Sequence, residues 1–319
     1  MNKKNGMSKA EFGERMAEGV ALGFGEDYVV KTQEVKKNNN VKMLGITVTK
    51  KSRNISPTIY LEGFYDQYLN GKSCERILES IMEALEKGMP AVDLDLSFFS
   101  DFNEVRKKLC YKLINAEKNS SLLEEIPYIP YLDLAICFYY PINDKGIGKG
   151  SILIMNNHMD LWGTNVKELW EIAAKNTRKL NPAECFTTER MMLEMVGACT
   201  CEEPVGELPQ EQGIPMYILT NHERSFGAAV ILYEGYLEKL AECIGGAFYL
   251  LPSSVHEMIL LPKIKELNDE EDSESLREIV EEVNHMVVEE QDVLSDSVYL
   301  YDERLKKLCV KETAACKSM

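Results

Sequence analysis

Two histidine–glutamate pairs, His222-Glu223 in "NHERSF" and His256-Glu257 in "FYLLPSSVHEMILLP", are the residues of this chain best suited to chemistry. Together they could offer imidazole and carboxylate ligands to a metal, or an acid and a base. With Ser253 and Ser254 before it, His256 could serve a nucleophilic hydroxyl. Each possibility depends on the elements that carry the residues. "PMYILT" and "FGAAVILY" alternate as strands around the first pair, and "AFYLL" and "EMILLP" flank the second. The helix "EGYLEKLAECIGG" lies between, and a strand–helix–strand crossover makes its flanking strands parallel. That path predicts His222 and His256 at opposite rims of the sheet, roughly 20 Å apart for a six-residue strand. Metal ligands must converge to about 2 Å from one ion, so no joint metal site is expected.

The serines fare no better as nucleophiles. Adjacent residues on extended chain point to opposite faces, and no Gly-x-Ser-x-Gly elbow occurs in the sequence. The simpler reading makes Pro252 the end of a strand and Ser253 and Ser254 the hydroxyls of a turn, with His256 and Glu257 opening the next strand. Asn221, His222, Glu223, Arg224, Ser253, Ser254, His256 and Glu257 therefore stand as candidate binding residues, and no catalytic residue is assigned. The other motifs are weaker. Cys199-Thr-Cys201 is too closely spaced for a zinc knuckle, and joining His158 or Cys185 to it has no support in the spacing. Glu34-Val-Lys36 matches only a fragment of a nuclease strand. Gly146, Gly148 and Gly150 precede a strand and not a helix, so they cradle no phosphate. Tyr60, Phe64, Tyr65 and Tyr68 sit at helical spacing, which reads as core. No metal or cofactor is expected.

The remaining elements read as α+β, with mixed sheets and packed amphipathic helices. Ser8 and Glu11 form a capping box before Phe12, Met16 and Val20. Two alternating runs around Asn38-Asn39-Asn40 make a hairpin, and "SPTIYLEGFYDQYLNG" passes from strand to helix. Ser73 starts a helix striped by Ile77, Leu78, Ile81, Met82 and Leu85, which Gly88 and Pro90 stop. "EVRKKLCYKLINAE" can be a long strand or a helix, with strand the favoured assignment, and is followed by strands "YLDLAICFYYPI" and "GKGSILIMN" and a helix capped by Asn165. "CTCEEPVGELPQEQGIP" is a connector. An acidic amphipathic helix, with Leu276, Ile279, Val280, Val283 and Val287 on one face, and the strand "SDSVYLYD" complete a C-terminal ββαββαβ order. Three units are expected: 1–95, helix, hairpin and helix; 96–204, β-rich with helix 165–178; and 205–319, α+β.

Composition bounds the function. The 319 residues are 45% apolar and 28% charged, as in soluble globular proteins, and no apolar run long enough to span a membrane occurs. Nine scattered cysteines, an odd count, and the absence of a secretory leader read as a reduced cytoplasmic protein. The net charge of −16 repels nucleic-acid backbone. The charge is uneven: seven Lys/Arg against one acid over 31–53, and fourteen acids against one Arg over 269–303. The basic hairpin or the acidic helix would dock a protein or peptide in a salt-sensitive manner. A non-enzymatic binding protein is thus the favoured expectation. The alternative is a hydrolase with a non-standard site at the 221–224 or 253–257 turn.

"PTIYLEGFYDQY", "MYILTNHERSFGAAVILY", "GGAFYLLPSSVHEMILLP" and "VLSDSVYLYD", in this order, resemble the bacterial family DUF 5688 over nearly the whole chain. More distantly, "ELWEIAAKNTRKL" with a later Gly–strand–Pro–Ser turn is similar to DUF 1444. In that family an Arg-Asp pair follows the turn, where this chain has Val255-His256-Glu257. Neither resemblance implies an activity, a cofactor or a catalytic residue. The resemblance implies an intact domain in a bacterial cytoplasm.

Overall fold

The computed structural model describes residues 6–54, 56–89, 93, 95–144, 148–188, 190, 216–252, 254–263, 275–278, 280–282, 284 and 288–311. The chain divides into two compact units, Met1–Phe98 with Ile142–Gly150, and Phe99–Pro141 with Ser151–Met319. Among the described residues, no helix is long and apolar enough to cross a membrane.

The first unit opens with α1 (Lys9–Phe24). Its capping box forms as the sequence predicts: Glu11 accepts the Ser8 backbone N–H at 2.8 Å, and Ser8 Oγ accepts that of Glu11 at 3.3 Å. β1 (Tyr28–Lys36) and β2 (Lys42–Lys50) pair antiparallel from Tyr28↔Lys50 to Lys36↔Lys42. Asn39 and Asn40 hold the turn at φ 59° and 58°, a conformation asparagine tolerates better than most side chains. β3 (Thr58–Tyr60) adds to β2, and α2 (Glu62–Leu69) and α3 (Cys74–Gly88) follow. The apolar faces meet in one core: Phe12, Met16 and Val20 of α1, Ile46 and Val48 of β2, and Ile77, Ile81 and Leu85 of α3 are all buried. Burying each such side chain is worth about 1.5–3 kcal/mol before chain entropy is counted. Phe64, Tyr65 and Tyr68 pack against this core, whereas Tyr60 lies under the Lys37 ammonium at 4.1 Å.

The second unit is α+β. Its elements are α4 (Phe102–Val105), β4 (Cys110–Asn115), α5 (Ser120–Leu123), β5 (Tyr128–Tyr131), β6 (Leu134–Asp144) and β7 (Gly148–Leu153), whose residues 142–144 and 148–150 are counted with the first unit, then α6 (Asn156–Trp162) and α7 (Val166–Leu180). There follow β8 (Ala183–Thr187), β9 (Tyr217–Asn221), a 3-10 helix (Gly227–Leu232), α8 (Tyr236–Ile244), β10 (Phe248–Leu251), β11 (Met258–Pro262), β12 (Tyr299–Asp302) and β13 (Lys307–Val310). One sheet has the order β4-β6-β5, with β7 paired to β6; the other runs β13-β12-β10-β11-β9-β8. Asn165 caps α7 by accepting the Glu168 N–H at 3.1 Å, and Leu169, Ala173 and Thr177 face inward. Leu276 and Val280 pack against Tyr249, Leu251 and Val298; Ile279, Val283 and Val287 of the expected stripe lie outside the described residues, as does the connector at 199–215.

Three expectations are corrected. Residues 104–117 do not form one strand: a short helix ends at Val105, and the strand begins at Cys110. "FGAAVILY" is a buried 3-10 helix, because Phe226 enters at φ 54° and the small Gly227-Ala228-Ala229 run lets backbone approach backbone. The C-terminal order therefore lacks its second strand and gains β13 at the end.

Candidate functional site

The loss of that strand reverses the expected placement of the two polar turns. β11 pairs antiparallel with both β9 and β10, as Met258↔Leu219 and Leu260↔Tyr217 on one side and Leu251↔Ile259 on the other. β9 and β10 consequently run parallel, and both end at the same rim. Asn221 leaves β9 there, and Pro252 leaves β10 there. The prediction of opposite rims fails because the crossover it assumed starts from β9 itself.

The turns are bonded to each other. Thr220 Oγ1 donates to the His256 carbonyl at 2.8 Å, and the Phe226 N–H donates to His256 Nδ1 at 3.1 Å. Ala228 N–H reaches the Val255 carbonyl at 3.3 Å. Gly227 sits where they touch. A methyl group there would fall closer than 3.0 Å to Thr220 Oγ1, the His256 carbonyl and the Asn221 nitrogen. Its φ is ordinary, so close approach and not backbone freedom requires the glycine.

Within each turn, the candidate side chains divide by role. Asn221 is buried; its amide donates to the Ser225 carbonyl at 2.9 Å, and its Oδ1 accepts the Ser225 N–H at 3.2 Å. Ser254 is also buried, and its Oγ accepts the His256 N–H at 3.1 Å. These two residues shape backbone. Ser253 lies outside the described residues. His222, Glu223 and Arg224 are exposed. His222 Nδ1 lies 2.8 Å from Glu184 Oε1 on the neighbouring β8, where Glu184 pairs with Thr220 in the ladder. Arg224, at φ 49°, stands over the Phe186 ring at 5.2 Å.

His256 is half-buried and stacked on Phe226, with centroids 5.8 Å apart and an interplanar angle of 19°. Because Nδ1 accepts a backbone N–H, the neutral ring carries its proton on Nε2, which lies 3.7 Å from Asp292. Phe226 in turn packs edge-on to Tyr139 at 5.1 Å and under the Lys112 ammonium at 4.4 Å. Burial pulls the Lys112 ammonium below the usual lysine range. Burial raises the Glu257 carboxyl above the ordinary carboxylate value, against the opposing pull of His256 and Arg224. Lys112, Tyr139, Glu184 and Asp292 belong to the cluster but come from distant segments. No local spacing announces them.

The described polar contacts of the two imidazoles are a hydrogen bond to Glu184, one from the Phe226 backbone and an approach of 3.7 Å to Asp292, none to a hydroxyl or thiol, so the nucleophile–base contact of a covalent hydrolase is not formed among the described residues. The Cys185 thiol is pushed up to about 12 by burial and is protonated at neutral pH. His158 Nδ1 accepts the Met155 N–H at 3.0 Å and so caps a helix; Cys199 and Cys201 lie outside the described residues. Among the described residues, no three His, Cys, Asp or Glu groups are placed to hold a metal. Two cavities of this unit, of about 390 and 420 Å³, are lined by residues other than these candidates.

No curated protein and no solved structure matches the chain. DUF5688, a family of unknown function, matches residues 9–303, nearly all of the sequence, and the chain belongs to that family.

Proposed function

We propose that the protein is a non-enzymatic binding protein that engages another protein or a peptide through the rim where the 221–226 and 254–257 turns meet. One observation carries this reading: buried Asn221, Ser254 and Thr220 lock the backbone, while the exposed His222, Glu223 and Arg224 are carried on a turn that holds two non-glycine residues at positive φ. Left-handed backbone at an ordinary side chain costs about 1–2 kcal/mol and persists where the surroundings enforce it. A pre-organised charged tip loses little side-chain and loop freedom on association. The Arg224 guanidinium on this exposed tip favours a partner that presents a carboxylate to it.

A photo-crosslinking amino acid at Glu223, compared with one at the exposed Glu171 of the same unit, tests the reading in cells. The expected product is one partner captured from 223 alone, lost in Arg224→Glu and weakened by salt. Equal capture from both positions, or capture indifferent to Arg224→Glu, rules the rim out.

A second reading, a hydrolase at the same turns, draws on the His222–Glu184 contact of 2.8 Å, since an oriented imidazole is the usual general base. Turnover of an ester or phosphodiester by the wild type that disappears in His222→Ala supports it; equal rates dismiss it.

A further inference from the structure

His256 stands between two polar partners that one protonation state cannot satisfy together. Its Nδ1 accepts the Phe226 N–H at 3.1 Å, which requires a bare nitrogen. Its Nε2 lies 3.7 Å from the Asp292 carboxylate, where a charged ring meets a counter-ion. Asp292 is kept beside the ring by its own backbone, since its carbonyl accepts the Val255 N–H at 2.8 Å. Protonation turns both ring nitrogens into donors. An N–H at Nδ1 then faces the Phe226 N–H, and the bond between the two turns is lost.

What this bond holds is strained. Arg224 and Phe226 sit at φ 49° and 54°, left-handed conformations that such side chains keep only where their surroundings enforce them. Loss of the bond therefore favours relaxation of the 221–226 turn. The remaining contacts between the turns do not titrate: Thr220 Oγ1 donates to the His256 carbonyl, and the Ala228 N–H to that of Val255. They keep the turns joined, so the tip alone is released. Other charged groups surround the ring. Glu257 interacts with both His256 and Arg224, and Lys112 of β4 stands over the Phe226 ring at 4.4 Å. His222, on the tip itself, contacts Glu184 of β8 instead. Glu257 also takes up a proton in acid, so the histidine's share of any response has to be separated by substitution.

We propose that His256 is a proton-operated latch on the rim: the neutral ring holds the Phe226 N–H and keeps Arg224 presented, and the charged ring turns to Asp292 and lets the tip relax. Partner binding then weakens on acidification. This regulation rests on the reading of the rim as a binding surface; the latch itself does not. Two alternative sets of contacts at one imidazole make the device two-state.

Hydrogen exchange in the full chain, labelled with heavy-nitrogen phenylalanine, tests the latch without any partner. The chain has ten phenylalanines, and the Phe226 amide signal is identified by its loss in Phe226→Tyr. Phe248, on β10 of the same unit, is the reference. After correction for the intrinsic pH dependence of exchange, protection of Phe226 is expected to fall about tenfold or more between about pH 7.5 and about pH 5, with Phe248 unchanged. In His256→Asn the side-chain oxygen can take the place of Nδ1 but does not titrate, and the fall should disappear. Asp292→Asn removes the counter-ion, and the fall should shrink about threefold or more. Equal protection of Phe226 at both pH values in the wild type overturns the latch. So does an undiminished fall in His256→Asn or in Asp292→Asn. A partner captured from Glu223 should be captured about tenfold less at the lower pH by the wild type, and equally at both by His256→Asn. Wild-type capture that is equal at both pH values overturns the regulation. Capture of nothing at either pH refutes the binding reading, and the latch is then decided by the amide alone.

Discussion

The Phe226 N–H donates to His256 Nδ1 across 3.1 Å, and the two rings lie 19° from parallel with centroids 5.8 Å apart. An imidazole nitrogen engaged in this way supports a backbone. It is unavailable to take a proton from a substrate while the bond lasts. The ring positions the 221–226 turn, and the turn positions Arg224. This relation explains how a histidine in a suggestive run can sit at the centre of a polar cluster and still be a structural member of it.

The contact between the turns is tight enough to be tested by a single methyl group. Gly227→Ala forces that methyl against two backbone atoms, the His256 carbonyl oxygen and the Asn221 nitrogen, neither of which can rotate away. Overpacking of this kind should cost about 3 kcal/mol. Thr220→Val removes the donor to the His256 carbonyl without adding bulk and should cost about 1.5 kcal/mol. Both tryptophans, Trp162 and Trp170, belong to this unit, so fluorescence during urea unfolding reports on it. A Gly227→Ala midpoint equal to that of the wild type means the turns are not in contact as described.

Arg224 and Phe226 share a backbone conformation but should respond oppositely to glycine. At Arg224, φ 49°, glycine relieves about 1 kcal/mol of strain and forfeits an exposed cation–π contact worth about 0.5 kcal/mol. The net effect should be a small gain in stability, roughly 0.5 kcal/mol, accompanied by weaker partner capture at the rim. At Phe226, φ 54°, the same relief is outweighed by loss of the ring packed among His256, Tyr139 and Lys112, and Phe226→Gly should lose about 2 kcal/mol. Two substitutions that move the midpoint in the same direction contradict this division of roles.

Much of the fold was legible because its signals are local. Phe12, Met16 and Val20 mark one face of α1, Ser73 and Asn165 cap their helices, and an asparagine run turns the hairpin. The 3-10 helix was not, since its Val230-Ile231 and aromatic flanks carry the composition of a strand, and its cause is a left-handed Phe226 that no pattern encodes. β8 and β13 are short and weakly alternating, and each is completed only by a partner strand. The candidate site divides in the same way. Asn221 through Arg224 and Ser254 through Glu257 stand out as polar runs between apolar flanks. Their convergence depends on the register of β9 and β10 about β11, which is nonlocal, and so does the arrival of Lys112, Glu184 and Asp292.

Glu257 offers a pH test at the rim. Burial raises its folded-state pKa above the ordinary carboxylate value of 4.5, so the folded protein holds this proton more tightly than the unfolded chain does. Stability then falls as pH rises from 4.5 through the raised value, and the penalty is fully present above it. Glu257→Gln cannot ionise. It should be more stable than the wild type at pH 7, and the difference should shrink as pH is lowered toward 4.5. Urea midpoints of both proteins at several pH values measure that difference, which also cancels the titration of every other carboxylate. A gap that widens on acidification shows that Glu257 is stabilised as an anion.

Asp133 makes a sharper electrostatic case. Its carboxylate accepts hydroxyl hydrogens from Ser295 at 2.5 Å, Ser297 at 3.0 Å and Tyr299 at 2.6 Å, tying the turn between β5 and β6 to the segment that leads into β12. Ser295 and Tyr299 are buried, and burial, reinforced by the Asp133 carboxylate, pushes the Tyr299 phenol far above its usual range, so it stays protonated as a donor. Hydrogen bonds to an ionised group in such surroundings are each worth about 1.5–3 kcal/mol. Tyr299→Phe should therefore cost about 2 kcal/mol in the wild type. In an Asp133→Asn background the acceptor is neutral and one oxygen has become an amide, so the same substitution should cost less than about 1 kcal/mol. The coupling, about 1 kcal/mol or more, is read from a double-mutant cycle of urea unfolding. Additive losses would mean that the phenol is held by its packing and that the carboxylate contributes nothing to it.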